Sequence, residues 1–223
     1  AEKYPQYLHK TRRIYPGMER NEQVSQDSLQ TVRERYHLPE KYILYPANPW
    51  PHKNHARLFA ALRRLRERHQ VTIPLVLTGR LENTMPYHAH QMALAADIDE
   101  QIIDLGFVPE AHISPLFRLA RCMVMPSLYE GFGFPVVEAQ LLGCPVACSN
   151  TTTLPEVTGD GALFFDPTDR NAIADAIWQL WTDDALRQTL IEKGQQNANR
   201  FRWRSYAEKT VAAFQELIQQ QAE

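Results

Sequence analysis

The sequence lacks any long hydrophobic run. No stretch of eighteen consecutive apolar residues occurs in its 223 residues, whereas a membrane-spanning helix needs about 20. The opening AEKYPQYLHKTRR has no apolar segment behind its basic residues, which argues against a signal peptide. We therefore expect a cytoplasmic protein, and peripheral attachment at the inner face of the membrane stays open.

Cysteine and net charge are also scarce. The three cysteines, Cys122, Cys144 and Cys148, form no CxxC pair, and a reduced cysteine in an apolar run packs as a small hydrophobic residue. The formal net charge of -2 provides no overall basic field, which disfavours nucleic acid as a partner. The basic cluster from Arg63 to His69 is therefore interpreted as a solvated helix face.

Several ligand motifs are missing. No Walker motif is present, and a dinucleotide-binding GxGxxG would need a glycine at Val136. Two histidine pairs, His52 with His55 and His88 with His90, have no carboxylate or cysteine at a recognised spacing. The acidic pair around Ile98 resembles a DxD motif but falls at the end of a predicted helix. We expect no metal site.

What the sequence does contain is an alternation of short strands and helices. Continuous apolar strands of this kind are typical of a parallel sheet that is covered on both faces. The predicted strands are KYILYPA, PLVLTG, IIDLGFV, CMVMPS, PVACSN and ALFFD, and the predicted helices lie near residues 53–69, 87–97, 112–121 and 134–142. The pattern predicts a doubly wound, Rossmann-like α/β domain, in which ligands bind beyond the carboxyl ends of the strands.

The segment EGFGFPVVEA, Glu130 to Ala139, follows the fourth predicted strand. Its glycines permit a close backbone approach, and the N–H groups at the start of the next helix favour an anion such as phosphate. Glu130 before the turn and Glu138 after it would accept hydrogen bonds from paired hydroxyl groups. This chemistry suits a phosphate that carries two sugars, a hexose and a ribose.

These residues resemble the Glu-x7-Glu signature of the retaining family-four glycosyltransferases of GT-B fold. The resemblance includes YPANPWPHKNHARL, GFVPEAHISPLFRLARCMVMPS, LPEVTGDGALFFDP and the closing FRWRSYAEKTVAAFQEL. It covers roughly Arg13 to the C-terminus. The implied protein is the C-terminal, donor-binding half of such an enzyme.

The resemblance also implies site residues. Glu130 and Lys53 are implied as catalytic, with Glu130 at the donor sugar and Lys53 at the diphosphate. Glu138 would hold the ribose, and the backbone of Gly131, Phe132, Gly133 and Phe134 would line the sugar and phosphates. Lys53 stands at a predicted helix start, where a cation is electrostatically unfavourable, and this favours a ligand role. The implied co-substrate is a nucleoside diphosphate sugar, and no cofactor or metal is expected.

The sequence departs from the family at one position. The common arginine a few residues before the lysine is missing, and Ala47 and Asn48 occupy that neighbourhood. Arg80, which follows the second predicted strand, is the candidate replacement for donor binding. Glu156 has two open interpretations, a ligand contact or an acidic residue that begins a short helix.

Three segments and one function follow from the resemblance. Residues 1–39 are predicted as interdomain linker and flank, 40–168 as the nucleotide-sugar-binding domain, and 169–223 as helices that pack on it and toward an N-terminal domain absent from this chain. The expected reaction is hexosyl transfer, with GDP-mannose or a UDP-hexose as donor and a saccharide or lipid-linked acceptor bound by the absent domain. The isolated chain is expected to be inactive. A nucleotide-sugar-binding module without transfer activity and another GT-B enzyme, such as an epimerase, remain alternatives.

Overall fold

Six short parallel strands form one sheet in the structure, a computed structural model that describes residues 10–19, 26–79 and 96–222. The strands are β1 (Ile43–Pro46), β2 (Leu75–Thr78), β3 (Ile102–Asp104), β4 (Cys122–Met125), β5 (Val146–Ser149) and β6 (Ala162–Phe165). Their order is β3-β2-β1-β4-β5-β6, and every pair is parallel. This is the doubly wound topology, and it confirms the predicted fold class.

Helices connect and flank these strands. They are α1 (Gln26–Arg35), α2 (His55–His69), α3 (Glu110–Leu119), α4 (Phe134–Leu141), α5 (Leu154–Thr158), α6 (Arg170–Thr182), α7 (Asp184–Ala198) and α8 (Trp203–Ala222), with short 3₁₀ turns at Pro51–Lys53, Asp99–Gln101 and Asn199–Phe201. The helix predicted near residues 87–97 lies almost wholly outside the described residues. Among the described residues, no helix is both long and apolar enough to cross a membrane.

The central strands are buried along their whole length. All four residues of β2, β4 and β5 are buried, as the unbroken apolar runs in the sequence predict. β1 adds three more buried residues, and only Pro46 at its carboxyl end is partly accessible. The sheet is therefore a rigid scaffold, and the loops beyond its carboxyl edge carry the polar groups.

The chain divides into two compact units, and the larger one contains the sheet. It runs from Arg20 to Asn197 and therefore includes α1, which falls in the segment predicted as linker and flank. Val32 of α1 is 1% exposed, and the hydroxyl of Tyr36 is 2.7 Å from Nδ1 of His112 on α3. The polar sequence before residue 40 thus contributes a packed helix to the sheet unit.

The smaller unit combines Ala1–Glu19 with Ala198–Glu223. Within it, Met18 forms an isolated parallel bridge with Arg202, and Tyr15 lies edge-on to Phe201 with ring centroids 5.3 Å apart. An ion pair of 3.0 Å joins Arg12 to Glu216 on α8. The helix α8 leaves six large apolar or aromatic side chains exposed, those of Trp203, Tyr206, Val211, Phe214, Leu217 and Ile218.

Candidate functional site

Two charged side chains meet at the topological switch point of the sheet. β1 and β4 are neighbours, but the chain leaves them toward opposite edges, and a crevice forms between the loops that follow them. Lys53 comes from the loop after β1 and Glu130 from the loop after β4. Their Nζ and Oε1 atoms are 2.6 Å apart, and the side chains are only 18% and 9% exposed. The structure thus brings together the two residues predicted as catalytic.

Lys53 does not begin a helix, which corrects the prediction. It ends the 3₁₀ turn Pro51–Lys53, and Asn54 then adopts a left-handed conformation with φ 63° and ψ 32°, so that α2 begins at His55. The interruption is the physical reason for the difference, because a left-handed residue stops α-helical hydrogen bonding. The electrostatic argument from a helix start therefore does not apply to Lys53.

Glu130 is held through its backbone. Its N–H donates to Oγ1 of Thr152 at 3.2 Å, and Oγ1 of Thr153 donates to its carbonyl oxygen at 3.1 Å. Both threonines belong to the loop after β5. This arrangement leaves the carboxylate of Glu130 directed at Lys53, with 8% of the whole residue exposed.

The glycine turn leads directly into α4. Gly133 caps the helix with φ 88°, a conformation that favours glycine, and a Cβ there would approach Cδ2 of Leu154 to 2.7 Å. The rings of Phe132 and Phe134 are in contact, with centroids 4.9 Å apart. The first N–H groups of a helix lack intrahelical acceptors, so the turn presents donors at the crevice.

Glu138 lies in the middle of α4, four residues after Phe134. Residues i and i+4 share one face of a helix. Phe134 is 48% exposed and Glu138 is partly buried, whereas the neighbours of Glu138 on α4, Val137 and Ala139, are fully buried. The described geometry thus places Glu138 on the accessible face of α4, and its role in ribose binding stays a prediction.

A cavity of about 340 Å³ opens beside Lys53. Its lining joins the carboxyl ends of β1 and β2 and consists of Pro46, Ala47, Asn48, Trp50, Lys53, Thr78 and Gly79. Lys53 is the only cation among these described lining residues. Ala47 and Asn48, the residues at the place of the family's arginine, face this space. Arg80 follows Gly79 directly, but it lies outside the described residues.

Beneath the cavity, two buried aromatic groups support the loop after β1. The hydroxyl of Tyr45 donates to the carbonyl oxygen of Lys53 at 2.5 Å, and burial raises the pKa of this phenol above its ordinary value. His55 packs 4.7 Å from Tyr45, centroid to centroid. Burial, reinforced by the charge of Lys53 and opposed by the carbonyl of Ala47, lowers the pKa of His55 to about 4. The imidazole is therefore neutral at pH 7.

Of the residues considered for a metal site, His88 and His90 lie outside the described residues. Within the described ranges, no group of three or more histidine, cysteine, aspartate or glutamate side chains is placed to hold an ion. Asp97, one of the acids of the DxD-like sequence, pairs with Arg66 on α2 at 2.9 Å. Glu156 lies exposed in the first turn of the short helix α5.

Four residues near the site were not singled out from the sequence: Tyr45, Asn54, Thr152 and Thr153. Asn54 directly follows Lys53, and the threonines follow a strand whose carboxyl end was expected to face a ligand. Their positions therefore carried a weak signal. What the sequence could not indicate is their hydrogen-bond partners, which come from loops distant in the chain.

The fold and the site define a class, a doubly wound α/β domain with a charged crevice at its switch point. Comparison with known proteins identifies the family: the family described as "Glycosyl transferases group 1" matches residues 30–197. The chain belongs to this family. It is a family-four-like glycosyltransferase C-terminal domain of GT-B fold.

Relatives in sequence include mannosyltransferases. The chain is 36% identical over 189 residues to the O-antigen chain mannosyltransferase B of Escherichia coli, which covers 83% of this chain and 49% of the relative. It is 30% identical over 172 residues to the MMP alpha-(1->4)-mannosyltransferase of Mycolicibacterium hassiacum. That match covers 75% of this chain and 41% of the relative. The chain thus spans about half the length of these relatives or less.

Solved structures share the fold. A glycosyltransferase from Rickettsia africae superimposes with a TM-score of 0.84 at 17% identity, over 97% of this chain and 61% of that one. The Anabaena HepE protein, in a complex with UDP and glucose, gives a TM-score of 0.79 at 21% identity, over 91% and 56%. At these identities the likeness concerns the fold.

Proposed function

We propose that this chain is the donor-binding half of a retaining glycosyltransferase, which transfers a hexosyl group from a nucleoside diphosphate sugar to an acceptor hydroxyl. The observation that carries the proposal is the meeting of Lys53 and Glu130 at the switch point, beside a cavity of about 340 Å³. Ligand pockets commonly measure about 300–1,000 Å³. The retaining outcome rests on the resemblance of EGFGFPVVEA to the family signature.

Lys53 would stabilise the departing diphosphate. Negative charge grows on that group during transfer, and preorganised donors aimed at developing charge are an effective form of catalysis. The ammonium group of Lys53 and the N–H groups at the start of α4 provide two such donors from two loops. We propose that they make the reaction independent of a metal ion.

The two glutamates would hold the two sugars. Two threonines hold the backbone of Glu130, and its carboxylate pairs with Lys53. In the proposed complex the diphosphate would take over the ammonium group of Lys53, and the carboxylate would instead accept hydrogen bonds from hexose hydroxyls. Glu138, on the accessible face of α4, would accept hydrogen bonds from the ribose. Arg80 is retained as a proposed donor contact.

Mannose is the donor sugar that the relatives favour. The mannosyltransferases that match over most of this chain support a mannosyl donor, for which we propose GDP-mannose. The structural neighbour with bound UDP and glucose keeps a UDP-hexose as the second candidate. The acceptor would be a saccharide or lipid-linked hydroxyl held by a further N-terminal domain. The helix α8, with its exposed apolar side chains, would pack toward that domain.

The test is titration of UDP, GDP, ADP and their hexose conjugates into the chain, with EDTA or with magnesium. We expect one nucleotide series to bind. Lys53→Ala should weaken binding of the nucleoside diphosphate, and the control Lys41→Ala should leave its affinity unchanged. Lys41 is a suitable control because it is exposed and precedes β1, at the opposite end of the strand. A tenfold or larger gain in affinity with magnesium would contradict metal independence, and absence of binding by all three series would contradict the proposed function.

Turnover assays separate the alternatives, which nucleotide titration alone does not. A binding module without transfer activity would bind the nucleotide sugar as well, but a protein extended by an acceptor domain would then not turn it over. An epimerase would convert the sugar of the donor into an isomer of equal mass without any acceptor. NMR of the products detects this conversion. Transfer to an acceptor distinguishes the proposed enzyme from both.

A further inference from the structure

The residue after Lys53 makes an unusual set of contacts. Asn54 is 4% exposed, and its Nδ2 donates to the carbonyl oxygens of Pro126 at 2.9 Å and of Pro167 at 2.8 Å. Its Oδ1 accepts from Arg57 at 3.1 Å. Pro126 follows β4 directly and stands four residues before Glu130, whereas Pro167 follows β6. One side chain thus joins three loops at the carboxyl edge of the sheet.

The segment around Lys53 is fastened at two further points. The hydroxyl of Tyr45 donates to the carbonyl oxygen of Lys53, and the N–H of Leu128 donates to the carbonyl oxygen of His52 at 2.8 Å. The backbone before, at and after Lys53 is therefore tied to β1 and to the loop that carries Glu130. These hydrogen bonds restrain the backbone from which the side chain of Lys53 extends.

The choice of residue at position 54 fits this role. The left-handed backbone disfavours most side chains other than glycine, asparagine and aspartate. Of these three, only asparagine offers two N–H donors. Glycine would keep the backbone conformation and lose the hydrogen bonds to Pro126 and Pro167. Aspartate would keep the side-chain shape but place a carboxylate oxygen against their two carbonyl oxygens.

We propose that Asn54, together with the hydroxyl of Tyr45, is a positioning residue that fixes Lys53 at hydrogen-bond distance from Glu130 and at the height of the bound diphosphate. The identity of the ligand, a diphosphate, rests on the proposed function. The effect of Asn54 on Lys53 rests on the hydrogen bonds described above. Displacement by about 1 Å can cost about 100-fold in a catalytic step. Loosening the loop after β1 should therefore displace Lys53 and weaken its contact with the diphosphate.

The first test needs no ligand. Lysines are dimethylated with ¹³C-formaldehyde, and the Lys53 NMR signal is identified by its loss in Lys53→Arg. Glu130→Gln should shift this signal because it removes the ion partner. In Asn54→Gly we expect the chemical shift of Lys53 to lie near its value in Glu130→Gln, because the loosened loop would separate Lys53 from Glu130. A Lys53 signal in Asn54→Gly that coincides with the wild type would overturn the proposal.

The second test is a double-mutant cycle with whichever of UDP, GDP or ADP binds the chain. Asn54→Gly should lower the affinity for that nucleotide about tenfold when Lys53 is present and less than about twofold in the Lys53→Ala background. The reason is that the effects of coupled residues are not additive. A merely structural role would give equal losses in both backgrounds, which would refute positioning. Gln70→Gly is the matched control, since Gln70 is also left-handed but lies exposed after α2.

Folding is checked by urea unfolding of each variant. If Asn54→Gly gives no cooperative transition, Tyr45→Phe replaces it in both tests, because this change removes only the hydroxyl donor to Lys53 and keeps the ring. The two tests also separate the two proposals. The expected NMR shifts without binding of any nucleotide would support the positioning role and refute the proposed donor site.

Discussion

At the scale of single residues, the ion pair of Lys53 and Glu130 has a chemical consequence for ligand binding. The pair is largely shielded from water, so each charge depends on the other while the crevice is empty of ligand. In the proposed function, an entering diphosphate would compete with Glu130 for the ammonium group. The ion pair would then act as a preformed exchange site, in which a phosphate and a sugar hydroxyl replace the two partners together.

The two glutamates should respond differently to neutralisation. We expect Glu138→Gln to weaken the free nucleotide by about 1.5–3 kcal/mol, the value of a hydrogen bond to a charged group. Glu130→Gln should not weaken binding of the free nucleotide, because it removes the competitor for Lys53. It should weaken only binding of the nucleotide sugar, because the proposed partner of Glu130 is the hexose. Calorimetry with both ligands measures this. Equal losses of bare nucleotide in the two variants would contradict the assignment of ribose and hexose.

His55 should make stability depend on pH. Its pKa is about 4 in the folded chain against an ordinary 6.5, so the unfolded chain binds the proton first as the pH falls. The stabilising contribution is complete above pH 6.5 and is lost as the pH falls toward 4, and a 2.5-unit shift corresponds to about 3 kcal/mol.

Urea unfolding of the wild type and of His55→Phe at several pH values checks this expectation. The free energy of unfolding of the variant should fall less between pH 6.5 and 4, since phenylalanine does not titrate. Asp166 and Asp184 do not confuse the result, because hydrogen bonds to Thr168 and Arg121 lower their pKa values below the ordinary 3.8 and move their effect to more acidic solution. Identical pH profiles would contradict the role of His55.

At the scale of elements, α4 is fixed at both ends. Its beginning is the glycine turn, and near its end Gln140 is buried and donates to the carbonyl oxygens of Thr158 at 2.9 Å and Gly161 at 3.2 Å. Asn197 of α7 donates to the oxygen of the same amide at 2.8 Å. A polar network thus orients the helix whose first N–H groups face the crevice.

The turn before α4 should tolerate alanine at one glycine and not at the other. Gly133→Ala should destabilise the chain by about 1–3 kcal/mol, because the residue has φ 88° and the new Cβ would meet Leu154. Gly131→Ala is the matched control and should stay within about 0.5 kcal/mol, since its Cβ would find no atom within 4 Å. Urea midpoints for the two variants provide the measurement, and equal midpoints would refute the conformational argument.

At the scale of the whole molecule, the chain spans only about half of a relative such as the O-antigen chain mannosyltransferase B. The candidate site residues, Lys53, Glu130 and Glu138, all serve the donor in the proposed function. Transfer also requires a second reactant in a defined orientation, and such orientation can account for about 7–11 kcal/mol of a barrier. A donor half by itself supplies only one side of that arrangement.

We therefore expect the 223-residue chain to bind its donor weakly and to transfer nothing. The assay combines the chain with GDP-mannose or UDP-glucose and a saccharide acceptor extract, and follows product by mass spectrometry. A chain extended by an acceptor-binding domain is the positive comparison. Turnover by the short chain near the usual enzymatic range of about 1–1,000 s⁻¹ would contradict the need for a second domain.

The sequence was most informative where one physical factor dominates. Burial on both faces requires continuous apolar strands, which explains why β2, β4 and β5 were predictable from their runs. β3 is only partly buried and proved the shortest strand, at three residues. α1 was missed because its sequence is polar. Among its residues whose burial is described, 28–35, only Val32 is deeply buried, and the apolar contact arises through packing against α3. The start of α2 was misplaced because the left-handed Asn54 depends on contacts with two distant loops.

The amino-acid sequence by itself determined the doubly wound class, the family, and the residue types that make a phosphate and sugar site credible. Only the tertiary structure decided that Lys53 and Glu130 stand 2.6 Å apart, that Asn54 and two threonines hold them, and that a cavity lies alongside. The reason is physical: strand and helix preferences act over a few neighbouring residues, whereas the site is assembled from loops 77 residues apart in the chain by the order of the strands.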